Sequence, residues 1–138
     1  MENKVTTEFA EKEFNDWILA NELENDLAVM SKELQDAFFG CKKAFVAAMK
    51  AGRLVVDGTS LVYTVSKFSP QGFAGEEIKI ARPSGNIWLA FDGRKNDGAM
   101  HKLQSSMSAM VGKDIAWFSK LDVKDWNFFA MVVSVFLS

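Results

Sequence analysis

The amino-acid sequence predicts an α+β fold in which a small antiparallel sheet of about three strands is flanked by several helices. Apolar residues recur at helical spacing before residue 51 and after residue 82, whereas they alternate between residues 52 and 81. The chain has 138 residues, of which 49% are hydrophobic, so it can bury one sizeable core. We therefore expect a single domain over residues 1–138, with a helical part at 1–51, strands at 52–81 and a helical part at 82–138.

Two helices are predicted in the N-terminal part. Thr6 and Thr7 precede the first amphipathic segment, and Ser31 precedes the second, so each segment has a residue that can cap a helix. The intervening "NELEND" loosens the pattern and favours a break. Gly52 can adopt the left-handed conformation that ends the second helix. The apolar face of this second helix has steps of four and three and contains Leu34, Phe38, Cys41, Phe45 and Ala48.

The middle of the chain changes to the period of strands. Two apolar runs in "RLVVDGTSLVYTVS" are joined by Asp57, Gly58 and Thr59, and an Asp-Gly pair in this position is a strong hairpin signal. Ile78 and Ile80 then alternate with charged residues, which predicts a third strand. Because the apolar residues lie on one side of each strand, we expect an antiparallel sheet with one buried face.

Helical spacing returns after the strands. Pro83 and Ser84 can open a short helix in "GNIWLAFDG", and Asn96 or Asp97 can cap the next helix, which Gly112 ends. The segment "KDIAWFSKL" predicts one more short helix. The apolar face of the helix before Gly112 is rich in methionine and contains Met100, Leu103, Met107, Met110 and Val111.

The last helix is predicted to be apolar most of the way round. Asp122 can cap it, and Leu121 can pack against Trp126 as a hydrophobic staple. One row of apolar residues, here called the first stripe, consists of Trp126, Phe129, Val133 and Phe136. A second row, the second stripe, consists of Phe128, Val132 and Val135.

Two stripes on one helix raise the question of what covers them. We expect the first stripe to pack on the domain, and the second to bind a partner or a second copy of the chain, which would then form a homo-oligomer. Methionines at helical spacing most often lie in the core, but methionine is also common on adaptable binding surfaces, so the hypothetical partner surface includes Met100, Met107 and Met110. The alternative is that the N-terminal helices cover both stripes within a monomer.

No group of residues predicts catalysis, a cofactor or a metal site. His101 is the only histidine and lies on the polar flank of its helix, and Cys41 lies on an apolar face without a histidine nearby in the pattern. Glu76 and Glu77 are neighbours on a strand, so their side chains point to opposite faces. We therefore expect a protein that is not an enzyme.

Charge and hydropathy make nucleic acid and membranes poor candidates for partners. The formal net charge is −2, whereas a nucleic-acid-binding domain carries a basic stripe. The apolar run at the C-terminus has about a dozen residues, and a membrane-spanning helix needs roughly twenty. The N-terminal segment is polar and acidic, unlike a secretory signal, and a single cysteine fits a reducing cytoplasm.

After residue 52 a strand ends in Arg82 and Pro83, a methionine-rich helix ends at Gly112, and Leu121, Asp122 and Asp125 begin an apolar helix. This order of elements resembles the small tail assembly chaperones of long-tailed bacteriophages and related prophages. In that family a strand ending in Arg-Pro leads to a short helix, then to a Leu-x-x-x-Met-x-x-Met-x-Gly helix, and finally to a Leu-Asp-x-x-Asp start of an apolar helix. The resemblance covers roughly residues 52 to 138. The matching positions here are Arg82, Pro83, Leu103, Met107, Met110, Gly112, Leu121, Asp122 and Asp125.

The resemblance implies a non-enzymatic role in the cytoplasm of the host bacterium. Proteins of this family bind the long, hydrophobic tape-measure protein and keep it soluble while tail-tube subunits polymerise around it. The tape-measure protein and the tail-tube protein are thus the partners that the resemblance implies. The alternative is a structural virion protein, such as a tail-tube or head-completion subunit, although such proteins tend to be richer in strand.

Overall fold

The computed structural model describes residues 5–85 and 99–137, and for residues 99–101 it describes the backbone only. The predicted α+β class is confirmed: the described residues form five helices and a small three-stranded antiparallel sheet. A short 3-10 turn lies at Leu27–Val29. In chain order the elements are α1 (Thr7–Ala20), α2 (Lys32–Lys50), β1 (Leu54–Asp57), β2 (Ser60–Thr64), β3 (Glu77–Ile80), α3 (Ala99–Val111), α4 (Ile115–Ser119) and α5 (Val123–Leu137).

The predicted starts of both N-terminal helices are confirmed. The Thr6 hydroxyl accepts a hydrogen bond from the Phe9 amide, and the Ser31 hydroxyl accepts one from the Leu34 amide, each at 3.1 Å. The predicted break also occurs, because Glu22 adopts a φ of 55° directly after α1. Local capping chemistry therefore fixes where these helices begin.

The three strands form a sheet of order β1-β2-β3 with antiparallel neighbours. Gly58 has a φ of 62° in the turn between β1 and β2, which is the left-handed conformation that a tight hairpin requires. Tyr63 lies in the central strand, opposite Leu54 on one side and Ile78 on the other. One face of the sheet is buried as predicted, and it carries Leu54, Leu61, Tyr63, Ile78 and Ile80.

Helix α1 is tied to the sheet by polar contacts as well as by apolar packing. The Thr59 carbonyl accepts hydrogen bonds from Trp17 Nε1 and Asn21 Nδ2, both at 3.2 Å. The Arg82 guanidinium donates to the backbone carbonyl of Asn21. Phe14 packs edge-on against Phe45 of α2, with their ring centroids 5.2 Å apart. The N-terminal helices therefore belong to the same hydrophobic core as the sheet and α5.

Helix α5 lies in the centre of this core, and the prediction that its second stripe stays uncovered is wrong. Phe128, Val132 and Val135 retain only 3%, 0% and 3% of their exposed area. The Phe128 ring stacks on Tyr63 of the sheet at 4.1 Å, while α2 and α3 pack along the rest of the helix. Because the chain itself covers both stripes, the expected partner binding and self-association through the second stripe lose their basis.

The methionine-rich helix also turns its apolar face inward. Met107 and Met110 are buried in the core, so neither offers a partner an accessible surface in this fold. Gly112 ends the helix with a φ of 83°, as predicted. The side chains of Met100 and His101, and the helix predicted in "GNIWLAFDG" with its following caps, lie outside the described residues.

Across residues 5–85 and 99–137, no helix combines the length and the apolar character that a bilayer crossing requires.

Candidate functional site

The residue types most often used in catalysis are not assembled into a site in the described part of the chain. Cys41 is fully buried, and burial raises the pKa of its thiol, which disfavours the reactive thiolate. Among the described side chains, no group of three His, Cys, Asp or Glu residues could hold a metal ion. The most developed surface feature is instead a groove between α2 and the beginning of α5.

The groove is open to solvent, has a volume of about 730 Å³ and draws its walls from α2, α5, β2 and the loop after β2. Small residues on α2 create it, because they leave space where larger side chains would fill the gap to α5. At one point the helices come close, since a Cβ atom at Gly40 would lie 2.9 Å from Met131 Sδ. The small residues that line the groove, at helical spacing, are Gly40, Ala44, Ala47 and Ala48.

Aromatic and aliphatic side chains form the floor and the mouth of the groove. The stacked rings of Tyr63 and Phe128 belong to its lining, with an interplanar angle of 11°. Phe68 and Val123 also line it, and they remain 59% and 67% exposed. Large apolar side chains with this exposure are available for contact with another molecule. The groove thus offers an apolar surface that needs no unfolding to be reached.

The charged residues of the groove are mainly basic. Lys43, Arg53 and Lys124 line it together with one acid, Asp122. Within residues 5–85 and 99–137, none of these three cations forms an ion pair with a carboxylate. The Arg53 Nε atom is buried and has no hydrogen-bond acceptor among the described residues. The groove is therefore locally positive on a chain whose formal net charge is −2.

A buried carboxylate lies beneath the groove floor. Asp125 is inaccessible to solvent, and its two oxygens accept four hydrogen bonds. Oδ1 accepts from the Tyr63 hydroxyl at 2.6 Å and from the Ser66 amide at 2.9 Å. Oδ2 accepts from the hydroxyls of Ser66 at 2.8 Å and Ser69 at 2.5 Å. Here these four donors and Asp125 are called the Asp125 network.

The network sets the ionisation of its members. Burial opposes ionisation of Asp125, but the hydrogen bonds from Ser69, Tyr63 and Ser66 outweigh it and lower the pKa of this carboxyl below its usual value. Burial and the Asp125 carboxylate together raise the pKa of Tyr63, and the hydrogen bond and positive charge of Arg53 offset only part of that rise. Asp125 is therefore a carboxylate and Tyr63 a neutral donor at neutral pH.

The Asp125 network also positions the mouth of the groove. Ser66 and Ser69 lie on either side of Phe68 in the loop after β2, and Asp125 holds both serines. The Ser69 hydroxyl in addition accepts from the Asp122 amide at 2.9 Å. These hydrogen bonds fix the loop against the start of α5. Because the loop carries Phe68, they also fix this wall of the groove.

Sequence reasoning did not find this site. Asp125 entered only as part of the Leu-Asp-x-x-Asp pattern, and its serine donors lie about 60 residues away in the sequence, where no local pattern connects them. The small residues on α2 were the signal that could have indicated a groove, because they share one helical face. The partner surface expected from the second stripe, Met107 and Met110 lies in the core instead.

Comparisons of the chain with protein-family models, with curated proteins and with solved structures find no match.

Proposed function

We propose that this chain is a non-enzymatic tail assembly chaperone of a long-tailed phage or prophage. It binds the tape-measure protein in the cytoplasm of the host bacterium and keeps it soluble while tail-tube subunits assemble. The observation that carries the proposal is the open apolar groove between α2 and α5, with Phe68 and Val123 exposed at its mouth. The sequence resemblance of residues 52 to 138 supplies the identity of the client.

The groove suits a long, apolar, helical client. A partner helix can lay its apolar face into a hydrophobic groove and bind through side chains one turn apart. The small residues Ala44 and Ala47 allow such a helix to approach α2 closely, and Phe128 and Met131 offer apolar contact on the α5 side. In this proposal the groove replaces the second stripe as the client surface, because the stripe is occupied within the fold.

The residues of the resemblance have structural roles that support the proposal. Asp125 and Asp122 organise the groove wall through Ser69, and Arg82 anchors the end of α1. A sequence pattern made of residues with these structural roles would maintain the groove, and it needs no catalytic group. The alternative of a tail-tube or head-completion subunit finds less support, because the described residues contain only three short strands.

Co-expression tests the proposed function. The client is the product of the very long gene that follows the tail-tube gene in a tail-assembly gene cluster. We expect this client to be insoluble when expressed alone, and soluble and co-purified when expressed with the chain, since the groove would cover part of its apolar surface. The measurement is the soluble fraction of the client with and without the chain, with an unrelated small acidic protein as control. A client that stays insoluble beside well-folded chain would contradict the proposal.

A further inference from the structure

We infer that the groove selects an amphipathic helical segment with an acidic side chain beside its apolar face, and that Arg53 pairs with this carboxylate. The inference rests on the proposed function only for the identity of the client. It deepens that function by stating which part of a long apolar protein would be recognised. Its basis is the chemistry of four groove residues: Arg53, Lys43, Lys124 and Asp122.

The Arg53 guanidinium is only partly satisfied: it contacts the Tyr63 hydroxyl, while its Nε atom lacks an acceptor among the described residues. The Arg53 side chain is half-buried and lines the groove. A buried donor without an acceptor is unfavourable, because it has given up its hydrogen bond to water without a replacement. A carboxylate is the natural complement, because it can accept two parallel hydrogen bonds from the planar guanidinium. A partner that brings a carboxylate would therefore relieve a cost that the free chain carries.

The acids near Arg53 are already engaged. Asp125 has both oxygens filled by the four donors of its network. Asp122 lines the groove, but its carboxylate accepts a hydrogen bond from the Lys124 amide at 2.9 Å at the start of α5. Neither forms an ion pair with Arg53 in the described part of the chain. A carboxylate on a bound segment would supply the acceptor that these two acids do not provide.

The two lysines extend the preference for acidic segments along the groove. Lys43 and Lys124 are exposed at its edges, and neither has a carboxylate partner within residues 5–85 and 99–137. Complementary charges at a rim increase the rate of association and discriminate against partners of the wrong sign. A helix of the same shape with basic residues would thus bind weakly, although its apolar face could contact the apolar lining of the groove equally well.

A second copy of this chain is a weaker candidate for the occupant. Its acidic α1 is the obvious segment, but the apolar face of that helix, with Phe14, Trp17 and Ile18, is buried in the core of its own chain. Docking α1 of a second copy through this face would require α1 to leave that core. A separate partner with a free apolar face and a carboxylate requires no such rearrangement.

Binding of two synthetic peptides to the full chain tests the inference. Both are fluorescently labelled amphipathic helices with the same leucine-rich face, and one carries glutamate where the other carries glutamine. Fluorescence anisotropy should show about tenfold tighter binding of the glutamate peptide, a difference of about 1.4 kcal/mol. Arg53→Gln should remove most of this preference, so that the two peptides bind with nearly the same affinity. Lys32→Gln, at an exposed position outside the groove, is the matched control.

The possible outcomes separate the two proposals. Equal binding of both peptides, binding of neither, or a glutamate preference that survives Arg53→Gln would overturn the inference. If Arg53→Gln fails to fold, Arg53→Lys keeps the charge but loses the planar fork, and it should retain only part of the preference. A dimer in sedimentation that Arg53→Gln dissociates would assign the groove to a second copy instead. Peptide selectivity without client co-purification would refute the chaperone role alone, whereas the reverse result would refute this inference alone.

Discussion

Replacing Phe128 and Val132 together with asparagine is expected to unfold the protein. Both side chains are buried in the centre of the core, and Phe128 stacks on Tyr63. Truncating a buried phenylalanine costs about 3 to 5 kcal/mol, and placing a polar group in an apolar site adds about 1 to 3 kcal/mol for each position. The sum equals or exceeds the stability of many domains, which is about 5 to 15 kcal/mol.

Circular dichroism during heating measures this effect, and the groove mouth provides a matched control. Phe68→Asn with Val123→Asn makes the same two changes at exposed positions, so the melting temperature should change little. A native melting curve for Phe128→Asn with Val132→Asn would mean that the second stripe is a surface. It would then restore the sequence-based expectation that this stripe binds a partner.

The Asp125→Ala substitution is expected to lower the free energy of unfolding by about 3 to 5 kcal/mol at neutral pH, since each buried donor left without an acceptor costs about 1 to 3 kcal/mol. The reason is that four donors lose their acceptor at once: the hydroxyls of Tyr63, Ser66 and Ser69 and the amide of Ser66. Asp125→Asn keeps the shape and one acceptor oxygen, so its cost should be smaller. Asp36→Ala, at an exposed carboxylate in a surface ion pair, is the control and should cost less than about 1 kcal/mol.

Chemical denaturation over a range of pH tests the same network through ionisation. The pKa of Asp125 is lowered in the folded chain, so its contribution is fully present above the unfolded pKa of about 4. It is lost as the pH falls through the lower folded value. Wild type should therefore lose more stability in acid than Asp125→Ala does. Equal free energies of unfolding for the two proteins at neutral pH would show that the network contributes nothing.

Local signals in the sequence were sufficient for most of the secondary structure. The caps at Thr6 and Ser31, the turn at Gly58 and the helix end at Gly112 each depend on a few neighbouring residues, so a short window contains the whole cause. The alternation of Ile78 and Ile80 with charged residues likewise identified the buried face of the sheet. These features follow from backbone conformation and periodicity, which any segment displays on its own.

The coverage of α5 could not be read in the same way. The sequence indicated that this helix is apolar most of the way round. Whether a stripe faces solvent depends, however, on how many other elements pack around the helix. Tyr63 covers Phe128 from the sheet, and Trp17 of α1 packs against Phe136 at 5.7 Å. These contacts join residues far apart in the chain. The Asp125 network has the same character, because its donors lie in a loop that precedes the helix by more than fifty residues.

The central claim is that the client binds in the groove between α2 and α5, and an obstruction at Asn127 tests it most directly. Asn127 is exposed on α5 and lines the groove, so Asn127→Trp should fill the site without disturbing the core. Asn15→Trp makes the same change at an exposed position on α1, outside the groove. The measurement is the affinity for a soluble tape-measure fragment, with the melting temperature of each variant as a check on folding. Asn127→Trp should bind at least about tenfold more weakly than wild type while Asn15→Trp binds normally; full binding by a folded Asn127→Trp would contradict the claim.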